Sequence, residues 1–257
     1  MSNPLITPRA ISRDEFEVYT TNWYDLVTGD DVEKLRTSFK IGNDQIMNYA
    51  YLTADIMTNN LLYEVAPTQP CVWTKFALVP KDDDPETLLF SIILYSNNIN
   101  PAGNGHPFYC LAGVREYPAT IVAEHAGNPT IDEPVPTPTA AEWIQNWNNQ
   151  HVDDIKFEML GNEHERLLGY TFPLSDFQEA WQPAENAELW LDFDKHTQMF
   201  PTPDPQGPLL FSTLIDTNTT PVGDEPGTII IDDYSLIYYD ISRPCPPYCD
   251  ANWTLDK

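Results

Sequence analysis

Positive charge is what this chain most lacks. Thirteen lysines and arginines stand against 39 aspartates and glutamates, a formal net charge of −26 over 257 residues. A surface of that sign repels phosphate backbones and anionic headgroups, so nucleic acid is not an expected partner. Any charged protein partner is expected to be basic. Long apolar runs are missing too: nothing approaches the ~18–20 apolar residues of a membrane-spanning helix, so no membrane partner is expected. The opening residues Met1-Ser2-Asn3-Pro4-Leu5 carry neither a basic nor an apolar segment. No signal peptide is read there, and the expected location is the cytoplasm. Four cysteines are too few for a disulfide scaffold.

Familiar catalytic signatures are absent as well. No serine sits in a Gly-x-Ser-x-Gly elbow, and no glycine-rich loop ends in Gly-Lys-Ser or Gly-Lys-Thr. His164-Glu165 opens like a zinc-protease helix, but Leu168 stands where the second histidine belongs. His164 therefore reads as a surface or cap residue. No residue is assigned a catalytic or cofactor-binding role.

What is present is a core and a repeat. Apolar residues make up 42% of the chain and aromatics 12%, enough to fill an interior despite the charge. Leu88-Leu89-Phe90-Ser91 recurs as Leu209-Leu210-Phe211-Ser212, an offset of 121 residues. Tyr49-Ala50-Tyr51 with Asp55 recurs at the same offset as Tyr170-Thr171-Phe172 with Asp176. Phe39-Lys40-Ile41-Gly42-Asn43 resembles Phe157-Glu158-Met159-Leu160-Gly161-Asn162, and Glu15-Phe16 matches Glu142-Trp143. The four matches are collinear, which predicts two diverged copies of one unit.

Local signals agree between the copies. Ser12-Arg13-Asp14-Glu15 is a capping box, followed by Phe16, Tyr19, Trp23 and Leu26 at helical spacing. Thr139-Ala140-Ala141-Glu142 reads as the same device before Trp143 and Trp147. Short strands follow at 49–52 and 170–172, then second helices capped at Thr53 and at Ser175. Strands are expected at 72–79, 88–95, 188–193 and 209–215, with loops at 80–87 and 197–208 and further strand at 120–123 and 228–239. The expected fold is α+β, each unit an antiparallel sheet covered by two helices. The first unit spans 1–130, a Pro-rich linker 131–138, and the second unit with a Cys-containing tail 139–257.

Several of these stretches carry a resemblance. They are Tyr49 to Asn60, Pro70-Cys71-Val72-Trp73, Lys81 to Asp84, Leu88 to Asn97 and the tail Pro244-Cys245-Pro246-Pro247-Tyr248-Cys249. Together they resemble a family of small uncharacterised acidic bacterial proteins, here as two tandem copies. The second unit departs from the pattern, with no Pro-Cys before its Trp190 strand. The resemblance implies the architecture and no activity.

Three acidic groups invite a cation reading. Asp82-Asp83-Asp84 is contiguous, which splays the side chains and favours a solvated turn. Asp192 and Asp194 alternate along a strand and share a face. Asp232-Asp233 interrupts an apolar run, as a bulge or a site does. The cysteines hold the most specific pattern. His106-Pro107-Phe108-Tyr109-Cys110 parallels Cys245-Pro246-Pro247-Tyr248-Cys249, so His106, Cys110, Cys245 and Cys249 are the candidate ligands of a zinc ion. Buried free thiols, a disulfide and a Cys-His nucleophile compete with that reading. The functional expectation is a non-catalytic binding or assembly protein acting through protein contacts. The alternatives are an enzyme with its site between the units, and a metal-stapled structural subunit of a larger assembly.

Overall fold

Ser12 starts the first long helix as its sequence predicts. Its hydroxyl accepts from the Glu15 amide at 3.2 Å, and the Glu15 carboxylate accepts from the Ser12 amide at 2.9 Å. The structure, a computed structural model, describes residues 4–29, 31–41, 45–63, 71–96, 106–115, 137–149, 167–181, 188–195, 211–218 and 243–245. Strands β1 (Pro4–Ile6) and β2 (Arg9–Ile11) precede that helix, α1 (Arg13–Thr28). Phe16, Trp23, Leu26 and Val27 are its buried side. Next come α2 (Val32–Ser38), the ladder of β3 (Lys40–Ile41) with β4 (Gln45–Ile46), and β5 (Tyr49–Thr53). A turn of helix, α3 (Ala54–Ile56), widens into a π-helical turn over Met57–Leu61. The long hairpin β6 (Cys71–Lys81) and β7 (Asp84–Ser96) follows, then β8 (Tyr109–Leu111) and β9 (Val114–Arg115). The second half runs α4 (Thr137–Asn148), β10 (Gly169–Pro173), α5 (Leu174–Ala180), β11 (Glu188–Lys195), β12 (Phe211–Asn218) and β13 (Arg243–Cys245). Helices with antiparallel sheets make this an α+β fold. Among the described residues no helix is long and apolar enough to cross a membrane.

Three local expectations move. β6 and β7 run through the expected 80–87 loop until Lys81 pairs with Asp84, which leaves a turn of Asp82 and Asp83. α4 begins at Thr137, so Thr139 lies inside its first turn rather than at the cap. Pro138 suits that turn, where its missing N–H costs nothing. α5 begins at Leu174 straight after Pro173, whose φ of −57° already fits the turn into a helix, so Ser175 is inside the helix as well. Thr53 does occupy the cap of α3, without a side-chain cap bond. The expected strands at 120–123 and 228–239, and with them Asp232-Asp233, lie outside the described residues, as does His164.

The sheets do not divide at the linker. One six-stranded sheet has the order β13-β10-β6-β7-β8-β2, and a three-stranded sheet has the order β12-β11-β5. Each takes strands from both halves: β10 of the second half lies on β6, and β5 of the first lies on β11. A hairpin alone leaves an open edge of unpaired amides and carbonyls, and each half closes the other's edge. The expectation of a separate sheet in each of 1–130 and 139–257 is thereby corrected.

The two exchanges share a register. Tyr49 faces Asp192 and Thr53 faces Glu188; Gly169 faces Lys75 and Pro173 faces Cys71. A shift of 120 residues takes β5 onto β10, and one of 117 takes β6 onto β11. The hairpins agree too: Phe90 faces Leu78, and Phe211 faces Lys195. The helices behave likewise. The Trp23 indole of α1 donates to the Leu167 carbonyl at 2.9 Å, and the Trp147 indole of α4 donates to the Met47 carbonyl at 2.8 Å. The position in α4 that corresponds to Trp23 is therefore Trp147, and the expected match of Phe16 with Trp143 is one turn out of step. One buried cluster spans both halves, with Trp23, Phe39, Phe76, Phe90, Trp147 and Phe193 ring against ring.

Candidate functional site

Alternation along β5 and β11 sorts their side chains into two faces. Ala50, Leu52, Leu189, Leu191 and Phe193 enter the main core, whereas Tyr49, Tyr51 and Trp190 form a separate buried cluster. Glu188 and Asp192 lie on the same face as that second cluster by their positions in the strand. Asp192 is buried, consistent with a shared face but not with a solvated one.

Arg115 of β9 enters this face. Its Nη1 donates to Glu188 Oε1 at 3.1 Å, its Nη2 makes a second, shorter bond to Oε2, and its Nε donates to the Tyr49 hydroxyl at 2.7 Å. Its guanidinium carbon lies 4.1 Å from the centre of the Tyr51 ring. The carboxylate has a further partner: the Trp190 indole donates to Glu188 Oε2 at 3.0 Å. The Trp190 ring in turn stacks on Tyr49, centroids 4.7 Å apart and planes 25° apart. The ion pair is nearly enclosed, with the side chains of Arg115 and Glu188 only 11% and 12% exposed. Burial pulls the guanidinium pKa down, but the hydrogen bonds to Tyr49 and Glu188 and the Glu188 charge outweigh it and hold it above the ordinary value. Burial likewise pushes the Tyr51 phenol up, against the pull of Arg115. Both groups therefore keep their protons throughout the physiological range.

Gly113 sets the approach. It exchanges both backbone hydrogen bonds with Tyr51, at 3.0 and 2.8 Å. A Cβ there would lie 2.6 Å from Pro8 Cδ and 2.8 Å from the Tyr51 ring, so a side chain would push the segment, and Arg115 with it, off the sheet.

The corresponding place on the other exchange looks different. Trp73 pairs with Thr171 on one side and Tyr95 on the other, and its ring stacks on Tyr95 at 5.5 Å. Cys71 stands where β11 has Glu188. Among the described residues, the buried Trp73 Nε1 and Thr171 Oγ1 find no hydrogen-bond partner.

Of the predicted zinc ligands, His106, Cys110 and Cys245 are among the described residues. Cys110 is fully buried in β8 opposite Leu94, and burial pushes its thiol far above the ordinary value, so little thiolate is available. His106 is half-buried against α1, its Nε2 2.6 Å from Arg13 Nη1. A guanidinium only donates, so that nitrogen is the acceptor and its lone pair is engaged. Cys245 pairs with Gly169 at the far side of the six-stranded sheet. Three strands separate it from Cys110, roughly 19 Å at the usual strand spacing. The two cysteines are too far apart to share a tetrahedral ion, whose Zn–S bonds are about 2.3 Å. Cys249, and with it the disulfide reading, lies outside the described residues. Among the described residues no group of three or more His, Cys, Asp and Glu side chains could hold a metal ion. The Asp82 to Asp84 turn is divided among separate partners: Asp82 accepts from Thr7, Asp83 lies 3.0 Å from Lys81, and Asp84 accepts from Thr87.

Neither Arg115 nor any of the four residues around it, Tyr49, Tyr51, Glu188 and Trp190, is a candidate in the sequence. The available signal is the alternation Glu188, Trp190, Asp192 against Leu189, Leu191, Phe193, a polar row on an otherwise apolar strand. No protein-family model matches the chain, and neither a curated protein nor a solved structure matches it.

Proposed function

We propose that the chain is a non-catalytic binding protein, built from two diverged copies of one unit, that recognises a basic protein through the outer face of α1. The observation that carries the reading is on that face. Val18 is 54% exposed and Tyr24 48% exposed, with Asp14 and Asp25 on the same side of the helix. Val18 and Tyr24 are the large apolar side chains that this anchored helix leaves bare, and with these acidic residues they are taken as the contact surface. Phe16, Trp23 and Leu26 hold the opposite face in the core, so the surface is offered without an ordering cost. Tyrosine is favoured at interfaces, and the net charge of −26 selects a cationic partner and speeds its approach. The matching registers of the two strand exchanges and the reciprocal indole bonds support descent from one unit.

The test is affinity capture with the native chain and with a Val18→Ser/Tyr24→Ser variant, each at low and high salt. The reading expects a basic protein retained by the native chain, lost on the double substitution and weakened by salt. An acidic partner, or one indifferent to both changes, overturns it.

A further inference from the structure

We propose that Tyr49, Tyr51, Glu188 and Trp190 form an arginine-recognition cage, which Arg115 fills from within the chain. The geometry is selective for a guanidinium. Two N–H donors meet the two oxygens of one carboxylate, a third N–H meets the Tyr49 hydroxyl, and the guanidinium carbon lies over the Tyr51 ring. A lysine ammonium has neither the fork nor the plane to make these contacts together.

The cage is preorganised by contacts that do not involve Arg115. The Trp190 indole holds Glu188 Oε2 at 3.0 Å, and the Trp190 ring is stacked on Tyr49. Both residues are anchored on paired strands, with Tyr51 directly opposite Trp190. The carboxylate is thus aimed before any guanidinium arrives, which is what separates a binding site from a chance ion pair.

The ligand is more than a side chain. Gly113 exchanges backbone bonds with Tyr51, and two residues later Arg115 reaches the cage. The recognised unit is an extended Gly-x-Arg segment that adds to the sheet by one bridge and inserts its arginine. β9 has only two residues, and its pairing with β1 is irregular, so the cage supplies much of what places it. This inference is independent of the α1 surface and survives its failure.

The experiment uses the full chain with Arg115→Ala and ethylguanidinium as the probe, with ethylammonium as the control. Emptying the cage should lower the melting temperature, and ethylguanidinium should restore roughly 2–4 °C of it, saturably, at about ten times its dissociation constant. Ethylammonium should restore nothing, and the native chain, whose cage is filled, should respond to neither. Adding Glu188→Gln to the Arg115→Ala chain should abolish the response. A folded Arg115→Ala chain that binds no guanidinium, or binds both cations alike, overturns the proposal. If Arg115→Ala does not fold alone, it is refolded with each cation in turn. Recovery with ethylguanidinium only supports the cage; recovery with neither or with both overturns it.

Discussion

At the β5–β11 exchange the Trp190 indole donates to Glu188, and Glu188 is shared with Arg115. At the β10–β6 exchange Trp73 occupies the corresponding position, Cys71 replaces the carboxylate, and the indole N–H has no partner among the described residues. The backbone register is the same in both places. The difference teaches which part of the design is general. Strand exchange and the buried tryptophan belong to the scaffold. The carboxylate and its guanidinium are an addition that one exchange carries and the other does not. A buried polar atom left without a partner costs about 1–3 kcal/mol. The Trp73 exchange therefore tolerates a local penalty that the Trp190 exchange has removed.

The harshest way to break the comparison is to separate the exchanging halves. Residues 1–130 alone would leave β6 without β10 and β5 without β11. The expected outcome is no cooperative thermal transition, monitored by circular dichroism; a sharp, reversible melt would show that the halves are autonomous. Less severe are the two helix anchors. Trp23→Ala and Trp147→Ala should each cost about 3–5 kcal/mol, since both indoles are buried and hydrogen-bonded across the halves. Denaturant midpoints should fall by similar amounts. A loss confined to one of them would mean that the reciprocal contacts are unequal in weight.

Local features were legible in the sequence and long-range ones were not. The Ser12 capping box depends on four adjacent residues, and it is present as read. Of the match of Leu88 to Ser91 with Leu209 to Ser212, the described residues Phe211 and Ser212 pair with Lys195 and Asp194 as Phe90 and Ser91 pair with Leu78 and Ala77; Leu209 and Leu210 lie outside the described residues. The match of Tyr49 with Tyr170 is one residue off: in the ladders Tyr49 corresponds to Gly169. Similar letters outvoted the true register there, since only pairing with a distant strand sets it. Exchange between the halves has no local signature at all. Cys110 and Cys245 lie on strands with three others between them in the sheet order, and spacing in sequence carries no information about which strand of a sheet a residue occupies. Arg115 went unnoticed because Glu188, which makes it a site, is 73 residues away.

The next test sits on the carboxylate itself. Glu188→Ala leaves Arg115 buried without its counter-charge, and should cost about 3 kcal/mol, the lower end for breaking a buried pair because both side chains keep some exposure and Tyr49 still accepts from the guanidinium. Cys71→Ala, at the corresponding position, should cost about 1 kcal/mol or less. Equal losses would remove the distinction between the exchanges. The indoles sharpen it further. Trp190→Phe deletes a satisfied donor and should cost about 1–2 kcal/mol, whereas Trp73→Phe deletes an unsatisfied one and should lie near neutral. The difference between the two denaturant midpoints is the quantity to measure. A larger loss at Trp73 would mean that its N–H is satisfied in solution.

The smallest effect compares the two long helices. α1 has a working capping box at Ser12, whereas Thr139 lies two residues inside α4. Ser12→Ala should therefore cost about 1 kcal/mol, the usual loss for a hydrogen-bonded cap, and Thr139→Ala no more than about 0.5 kcal/mol. The Ser12 loss should also depend on pH. The Glu15 carboxyl is held below its ordinary value, first because it accepts from the Ser12 amide and then, against the opposing effect of burial, because of the Ser12 hydroxyl and Arg9. A carboxyl depressed on folding stabilises the native state above its unfolded pKa, about 4.3. That contribution fades as pH falls through the folded value, because protonation then removes the charge that strengthens the acceptor. Ser12→Ala removes the hydroxyl half of the box, so its cost should be largest near pH 7 and smaller near pH 3. Thr139→Ala should show no such trend, because Thr139 lies inside the helix and not at its cap. Urea unfolding of both variants at the two pH values measures this, and a Ser12→Ala cost that stays constant across the range would mean that Glu15 and Ser12 act separately.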